Sequence, residues 1–167
     1  FCLFLSFQLQ AQLIPEGWEG KWTGNVTAWV YNEKIDSFTM SIDIVAQDSV
    51  WDFIIFYDRP VAGKPDIRPY QLMVVDTAKY HLAIDEKNSI VLDCFMNDNC
   101  LYDRFSGLGS DLQMRMCVED SAMTYEITSY FSKPIRTSGN EVISGDTIPE
   151  IKSYELHYFM KAALRKE

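Results

Sequence analysis

The sequence predicts an all-β fold: an up-and-down antiparallel meander closed into a barrel of about 8–10 strands, with a short helical turn near its N-terminus. Three observations predict it. Apolar and polar residues alternate through most of the chain, and almost no segment has helical spacing. Turn residues separate the alternating runs at short intervals. Strands joined by hairpins in this number leave two open edges unless the first meets the last, and closure removes both.

In chain order, Leu13-Ile14-Pro15-Glu16-Gly17 is the expected helical turn, placed to plug one end of the barrel. Val26, Ala28 and Val30 share a side against Asn25, Thr27 and Trp29. Phe38, Met40, Ile42 and Ile44 alternate with Thr39, Ser41 and Asp43, and Trp51, Phe53, Ile55 and Tyr57 form the next inward set. Tyr70, Leu72 and Val74 follow, then Tyr80, Leu82 and Ile84, then Ile90, Leu92 and Cys94. Leu101 and Phe105 precede Leu112, Met114, Met116 and Val118. Met123, Tyr125, Ile127 and Ser129 oppose Thr124, Glu126 and Thr128. The last run sets Tyr154, Leu156, Tyr158, Met160, Ala162 and Leu164 against Ser153, Glu155, His157 and Lys161. Period-two patterning of this persistence is that of half-buried antiparallel strands. One connection is long, Lys133 to Asp146, rich in Ser, Gly and Thr; it reads as a mobile loop, a lid or a partner contact.

The chain has 167 residues, 47% hydrophobic and 23% charged, which suits one packed domain over residues 12–167 and excludes a disordered tail. Its net charge of −9 repels a phosphate backbone, so nucleic acid is not an expected partner. The opening run Phe1-Cys2-Leu3-Phe4-Leu5-Ser6-Phe7 is too short to cross a bilayer and ends in a polar break at Gln8-Leu9-Gln10-Ala11-Gln12. It reads as the remnant of a signal peptide over residues 1–11, cleaved after Ala11, so the mature chain is expected to be secreted or periplasmic, without a membrane span. That leaves Cys94, Cys100 and Cys117. Cys94 and Cys100 flank the turn residues Asn97-Asp98-Asn99 and can be joined across a hairpin if its register brings them together; buried reduced thiols are the alternative. Three cysteines without C-x-x-C spacing and two histidines form no zinc pattern.

The first strand opens Gly17-Trp18-Glu19-Gly20-Lys21-Trp22-Thr23-Gly24. A Gly-x-Trp step at the start of a meander resembles the calycins, the lipocalin and fatty-acid-binding-like barrels. The resemblance implies that Trp22 closes the barrel floor beneath a basic residue from the end of the last strand, for which Arg165 is the candidate. Further short stretches resemble a group of secreted bacterial lipocalin-like proteins with no assigned function: Ile67-Arg68-Pro69-Tyr70-Gln71-Leu72, Ile84-Asp85-Glu86-Lys87-Asn88-Ser89-Ile90 and Lys161-Ala162-Ala163-Leu164-Arg165-Lys166. That group usually has Gly in the turn where this chain has Ser89. The resemblance implies a fold and transfers no catalytic residue.

Among candidate chemistries, Arg68 stands out because it shares a side with Tyr70, Leu72 and Val74. If that side lines the interior, Arg68 with the hydroxyls of Tyr57, Tyr70 and Tyr125 holds a small apolar or carboxylate-bearing ligand. Otherwise Arg68 pairs internally with Asp103, or lies at the strand mouth. Heme-binding nitrobindin-like calycins use a His near the last strand, a region where this chain has His157; its parity with Ser153, Glu155 and Lys161 instead puts it in water. His81 falls in a similarly solvated set with Lys79 and Asp85. No Gly-x-Ser-x-Gly elbow, phosphate loop or dinucleotide fingerprint occurs, so no catalytic residue and no cofactor is expected. Two functions remain open: a small-molecule-binding barrel, or a packed barrel whose outer face or 133–146 connection contacts another envelope protein. A calycin-type chromophore lyase is a distant third.

Overall fold

The computed structural model describes residues 13–15 and 17–167. The expected leader over 1–11, Glu16 and the boundary at residue 12 lie outside the described residues. The chain forms strands β1 (Gly20–Val30), β2 (Glu33–Ala46), β3 (Val50–Val61), β4 (Lys64–Asp76), β5 (His81–Asp85) and β6 (Val91–Asn97). It continues with β7 (Cys100–Gly107), β8 (Ser110–Glu119), β9 (Ala122–Ser138), β10 (Glu141–Ile143), β11 (Asp146–Ile148) and β12 (Ile151–Lys166). Ten of these close into one antiparallel barrel in the order β1-β12-β9-β8-β7-β6-β5-β4-β3-β2. Each alternating run supplied one barrel strand, and each expected turn falls between consecutive strands. Closure is made by β1 against β12, where Trp22 lies opposite Lys166 and Val26 opposite Ala162. Gly24 permits it: a Cβ there would lie 2.0 Å from the Ala163 carbonyl oxygen, so the two strands meet where a side chain has no room.

Alternation places the core as period two requires. Met40, Ile42 and Ile44 on β2, Trp51, Phe53 and Ile55 on β3, and Met114, Met116 and Val118 on β8 are all buried inside. A fully buried side chain of this size contributes about 1.5–3 kcal/mol to the packing of the interior.

At the N-terminal segment Trp18 N–H donates to the Pro15 carbonyl at 3.2 Å, closing one turn. It seals an end, since Leu13, Ile14 and Trp18 are buried. Three expectations are corrected. Among the described residues the helical element is a 3-10 turn at Thr77–Lys79, closed by Tyr80 in the left-handed region, which turns Tyr80 outward. The 133–146 connection is ordered: β9 runs on to Ser138 and pairs with the start of β12 at Ile151. The two form a ribbon that carries the separate β10–β11 hairpin. Register shifts along β12 between Ser153 and Tyr158 separate this ribbon from the barrel wall, which is why Tyr154 and Leu156 are exposed while Met160, Ala162 and Leu164 are buried.

The disulfide joins Cys100 to Cys117, which lie directly opposite on β7 and β8, and Cys94 is a free buried thiol. A Cys94–Cys100 bridge is excluded by register. The hairpin pairs Asn97 with Cys100 and so sets Cys94 against Asp103. Cys94 shares the inward parity of Met96, and Cys100 the outward parity of Tyr102.

Candidate functional site at the open end of the barrel

The two ends of the barrel differ. At the closed end Trp22 is fully buried and donates its indole N–H to the Trp18 carbonyl at 2.8 Å. The cation above it is Lys166, whose Nζ lies 5.3 Å from the ring centroid and donates to the Gly17 carbonyl at 3.0 Å. Arg165, the residue expected there, is exposed. Leu164 points inward, so the next residue points outward and Lys166 returns to the inner parity directly opposite Trp22.

The other end is polar and partly open. Arg68 on β4 pairs with Ile55 on β3, which gives it inward parity, yet its position near the rim leaves its side chain 46% exposed. Its guanidinium lies 5.2 Å from the centroid of the Tyr57 ring. Asp66, two residues away on the same face, accepts from Arg68 Nε at 3.1 Å and from Nη2 at 3.4 Å. The internal Arg68–Asp103 pair is therefore not the arrangement adopted; Asp66 is the nearer carboxylate on the same strand. Burial works against the Arg68 charge, but hydrogen bonds to Asp66 and Tyr70 outweigh it and hold the cation firmly.

Two depressions meet at Arg68. The outer one, about 340 Å³, is lined by Phe38, Tyr57, Arg59, Asp66 and Tyr158 with Arg68 itself. The inner one, about 100 Å³, is reached past Tyr57 and Arg68 and holds Tyr70, Glu86, Asp103 and Tyr125. An inner space of that size takes a few waters or a small polar head and no long acyl chain. Arg59 is the second cation at the mouth, paired with Asp36 at 2.9 Å.

Burial shifts the tyrosines, Asp103 and Cys94 around the inner space toward their neutral forms. Burial pushes Tyr57 up to about 12, partly offset by the Arg68 cation and a hydrogen bond with Tyr125. Tyr125 is raised well above the ordinary tyrosine value by burial and by the nearby Tyr57. Tyr70 is raised by burial, with Arg68 pulling the other way. Asp103 is 8% exposed and its carboxylate accepts from the Met114 backbone N–H at 3.0 Å. Burial still pushes its pKa up to about 6, helped by the Glu86 charge and opposed by that hydrogen bond. Cys94, opposite Asp103, is raised by burial and by the Asp103 and Asp93 charges, which keeps its thiol protonated.

The structure thus brings Arg68, Tyr57, Tyr70, Tyr125 and Asp103 around one inner space. Sequence reasoning missed Asp66, Arg59 and Glu86. The i, i+2 spacing of Asp66 and Arg68 was the signal for the first, because residues two apart share a strand face. His157 and His81 are both on the outer side: His157 stacks on Phe131 at 4.1 Å between ring centroids, and His81 on Phe95 at 4.6 Å. Among the described residues, no group of three or more His, Cys, Asp or Glu side chains is arranged to hold a metal ion. No helix among them is long and apolar enough to cross a membrane.

No protein-family model and no curated protein matches the chain. Among solved structures it is similar to the crystal structure of Rv2717c from M. tuberculosis, with a TM-score of 0.54 and 10% identity over 95% of this chain and 96% of that one. At that identity the likeness shows the fold alone, a closed antiparallel barrel.

Proposed function

We propose that the open end of the barrel binds a small molecule with an acidic head and a short apolar body. The observation that carries this is the position of Arg68, shared by the mouth cleft and the inner space, against the Tyr57 ring and with only part of its donor set used by Asp66. A ligand carboxylate can take the remaining N–H groups and the Tyr57 or Tyr70 hydroxyl, while Phe38, Val61 and Ile127 at the mouth cover its apolar part. The mouth cleft lies within the size range of small-molecule sites. The small inner space argues for a short ligand over a fatty acid. In this reading the protein works in an oxidising compartment outside the cytoplasm, which the apolar opening run and the Cys100–Cys117 bridge both support.

The test is calorimetric titration with hexanoate and benzoate, and with 1-hexanol and benzyl alcohol as uncharged counterparts. Arg68→Ala is expected to weaken carboxylate binding about tenfold or more, the worth of a charge-assisted hydrogen bond, and to leave the alcohols unchanged. Equal affinity of wild type and variant for the carboxylates would remove the proposal.

The ribbon favours a second reading. Ile135, Val142, Ile143 and Ile151 are more than half exposed there, and among the described residues β10 and β11 pair only with each other. A protein partner adding a strand to this hairpin would bury those side chains. Cross-linking in the native host, compared with a Val142→Asp/Ile143→Asp variant, tests it: an adduct that persists in the variant removes this reading.

A further inference from the structure

A wide concavity lies outside the barrel. A groove of about 560 Å³ crosses the outer faces of β6, β7, β8 and β9, with Phe95, Tyr102, Arg104, Gln113, Thr128 and Tyr130 along it. A smaller hollow of about 300 Å³ shares Arg104, Gln113 and Tyr130 with it and extends the groove to Tyr154 on β12. Register explains the layout. One cross-strand row runs Phe95, Tyr102, Arg115, Glu126, Lys161, and beside it lies a row of Arg104, Gln113 and Thr128. Aromatic rings therefore adjoin a line of side chains that donate and accept hydrogen bonds.

The rings are held in place before any ligand arrives. His81 stacks on Phe95, while the Arg115 guanidinium lies 6.0 Å from the Tyr102 centroid and donates to its hydroxyl at 3.4 Å. Both rings stay accessible, Phe95 at 46% and Tyr102 at 38%. The charges largely cancel: Glu126 is paired with Arg115 at 3.4 Å and with Lys161 at 2.9 Å, and Asp93 and Asp111 on the lining balance Arg104 and the remaining cation. A polyanion finds no excess of positive charge here. An apolar ligand would strip water from Arg104, Gln113 and Thr128 without replacing their hydrogen bonds. A peptide could not add a strand, because the backbone groups of β7 and β8 are engaged on both sides. A neutral sugar chain meets each condition. Its C–H faces cover aromatic rings, and its hydroxyls both donate and accept, matching guanidinium, amide and hydroxyl partners.

We infer that this outer groove is a binding site for a neutral oligosaccharide, separate from the Arg68 site. The experiment is NMR titration of the 15N-labelled protein with maltohexaose, cellohexaose and chitohexaose. At least one is expected to bind saturably, with shifts confined to β6–β9 and the Tyr154 region. Tyr102→Ala and Tyr130→Ala should each lower its affinity about tenfold. Arg68→Ala should leave it unchanged, which keeps failure of this site distinct from failure of the barrel-mouth proposal. Gln113→Ala, a truncation of an exposed side chain, serves where a tyrosine variant does not fold, with the same expected loss. No saturable binding of any of the three sugars, or binding untouched by these variants, overturns the inference.

Discussion

Asp103→Asn changes the charge of one buried group and almost nothing of its shape. The asparagine Oδ1 can still accept the Met114 N–H that Asp103 accepts at 3.0 Å. What changes is the cost of ionisation. In the folded protein Asp103 titrates near pH 6, against 3.8 for the free side chain, because burial disfavours its charged form. The native state therefore holds the proton more tightly than the unfolded chain. The corresponding stability is fully present below about pH 3.8 and is lost as the pH rises to about 6. A displacement of about two pH units corresponds to about 3 kcal/mol. Asparagine does not ionise, so the variant escapes that loss. Urea unfolding of both proteins from about pH 4 to about pH 7.5 should show the variant gaining stability relative to wild type by up to about 3 kcal/mol, with most of the gain between pH 4 and pH 6. A difference that stays flat across that range would refute the reasoning, since it would mean that the inner space is wet enough to solvate the carboxylate.

Three further outcomes are expected. Lys166→Ala should lower stability by about 0.5–1 kcal/mol in denaturant titration through loss of the cation over Trp22, with Arg165→Ala near neutral; the reverse order would restore Arg165 as the cap. Ser89 lies at a φ of 78° in the Glu86–Ile90 turn, a conformation that favours glycine, so Ser89→Gly should raise stability by about 1 kcal/mol in thermal unfolding, and a loss would refute this. The Cys100–Cys117 bridge spans 17 residues, so Cys100→Ser/Cys117→Ser should cost about 3 kcal/mol of unfolding free energy, and no loss would show the link to be dispensable.

The barrel was legible because its signal is local and repeated. Met114, Met116 and Val118 against Gln113, Arg115 and Glu119 fix which face of β8 is inside, whatever the neighbouring strands do. Trp22 was legible only through the Gly-x-Trp resemblance, which implied that it closes the barrel floor. The capping cation was misread by one position, although Leu164 had already fixed the parity of its neighbours. The disulfide was not legible, since a register shift of one residue in the β6–β7 hairpin would change which cysteines share a face. The ordering of residues 133–146 was hidden by composition: Ser, Gly and Thr suit a loop as well as an exposed ribbon whose two strands are held by each other. At the candidate site, parity turned Arg68 and the tyrosines inward. It could not say how close to the rim Arg68 would stand, because that depends on strand length and tilt around the whole barrel.

The barrel-mouth reading rests on Arg68 meeting a ligand's acidic group. The direct measurement is NMR of the arginine side-chain N–H groups during titration with benzoate and hexanoate. A saturable shift of the Arg68 Nε–H resonance is expected, tracking the calorimetric affinity and absent with benzyl alcohol. Saturable binding of either carboxylate with the Arg68 resonance unmoved, or no binding at all, would contradict it.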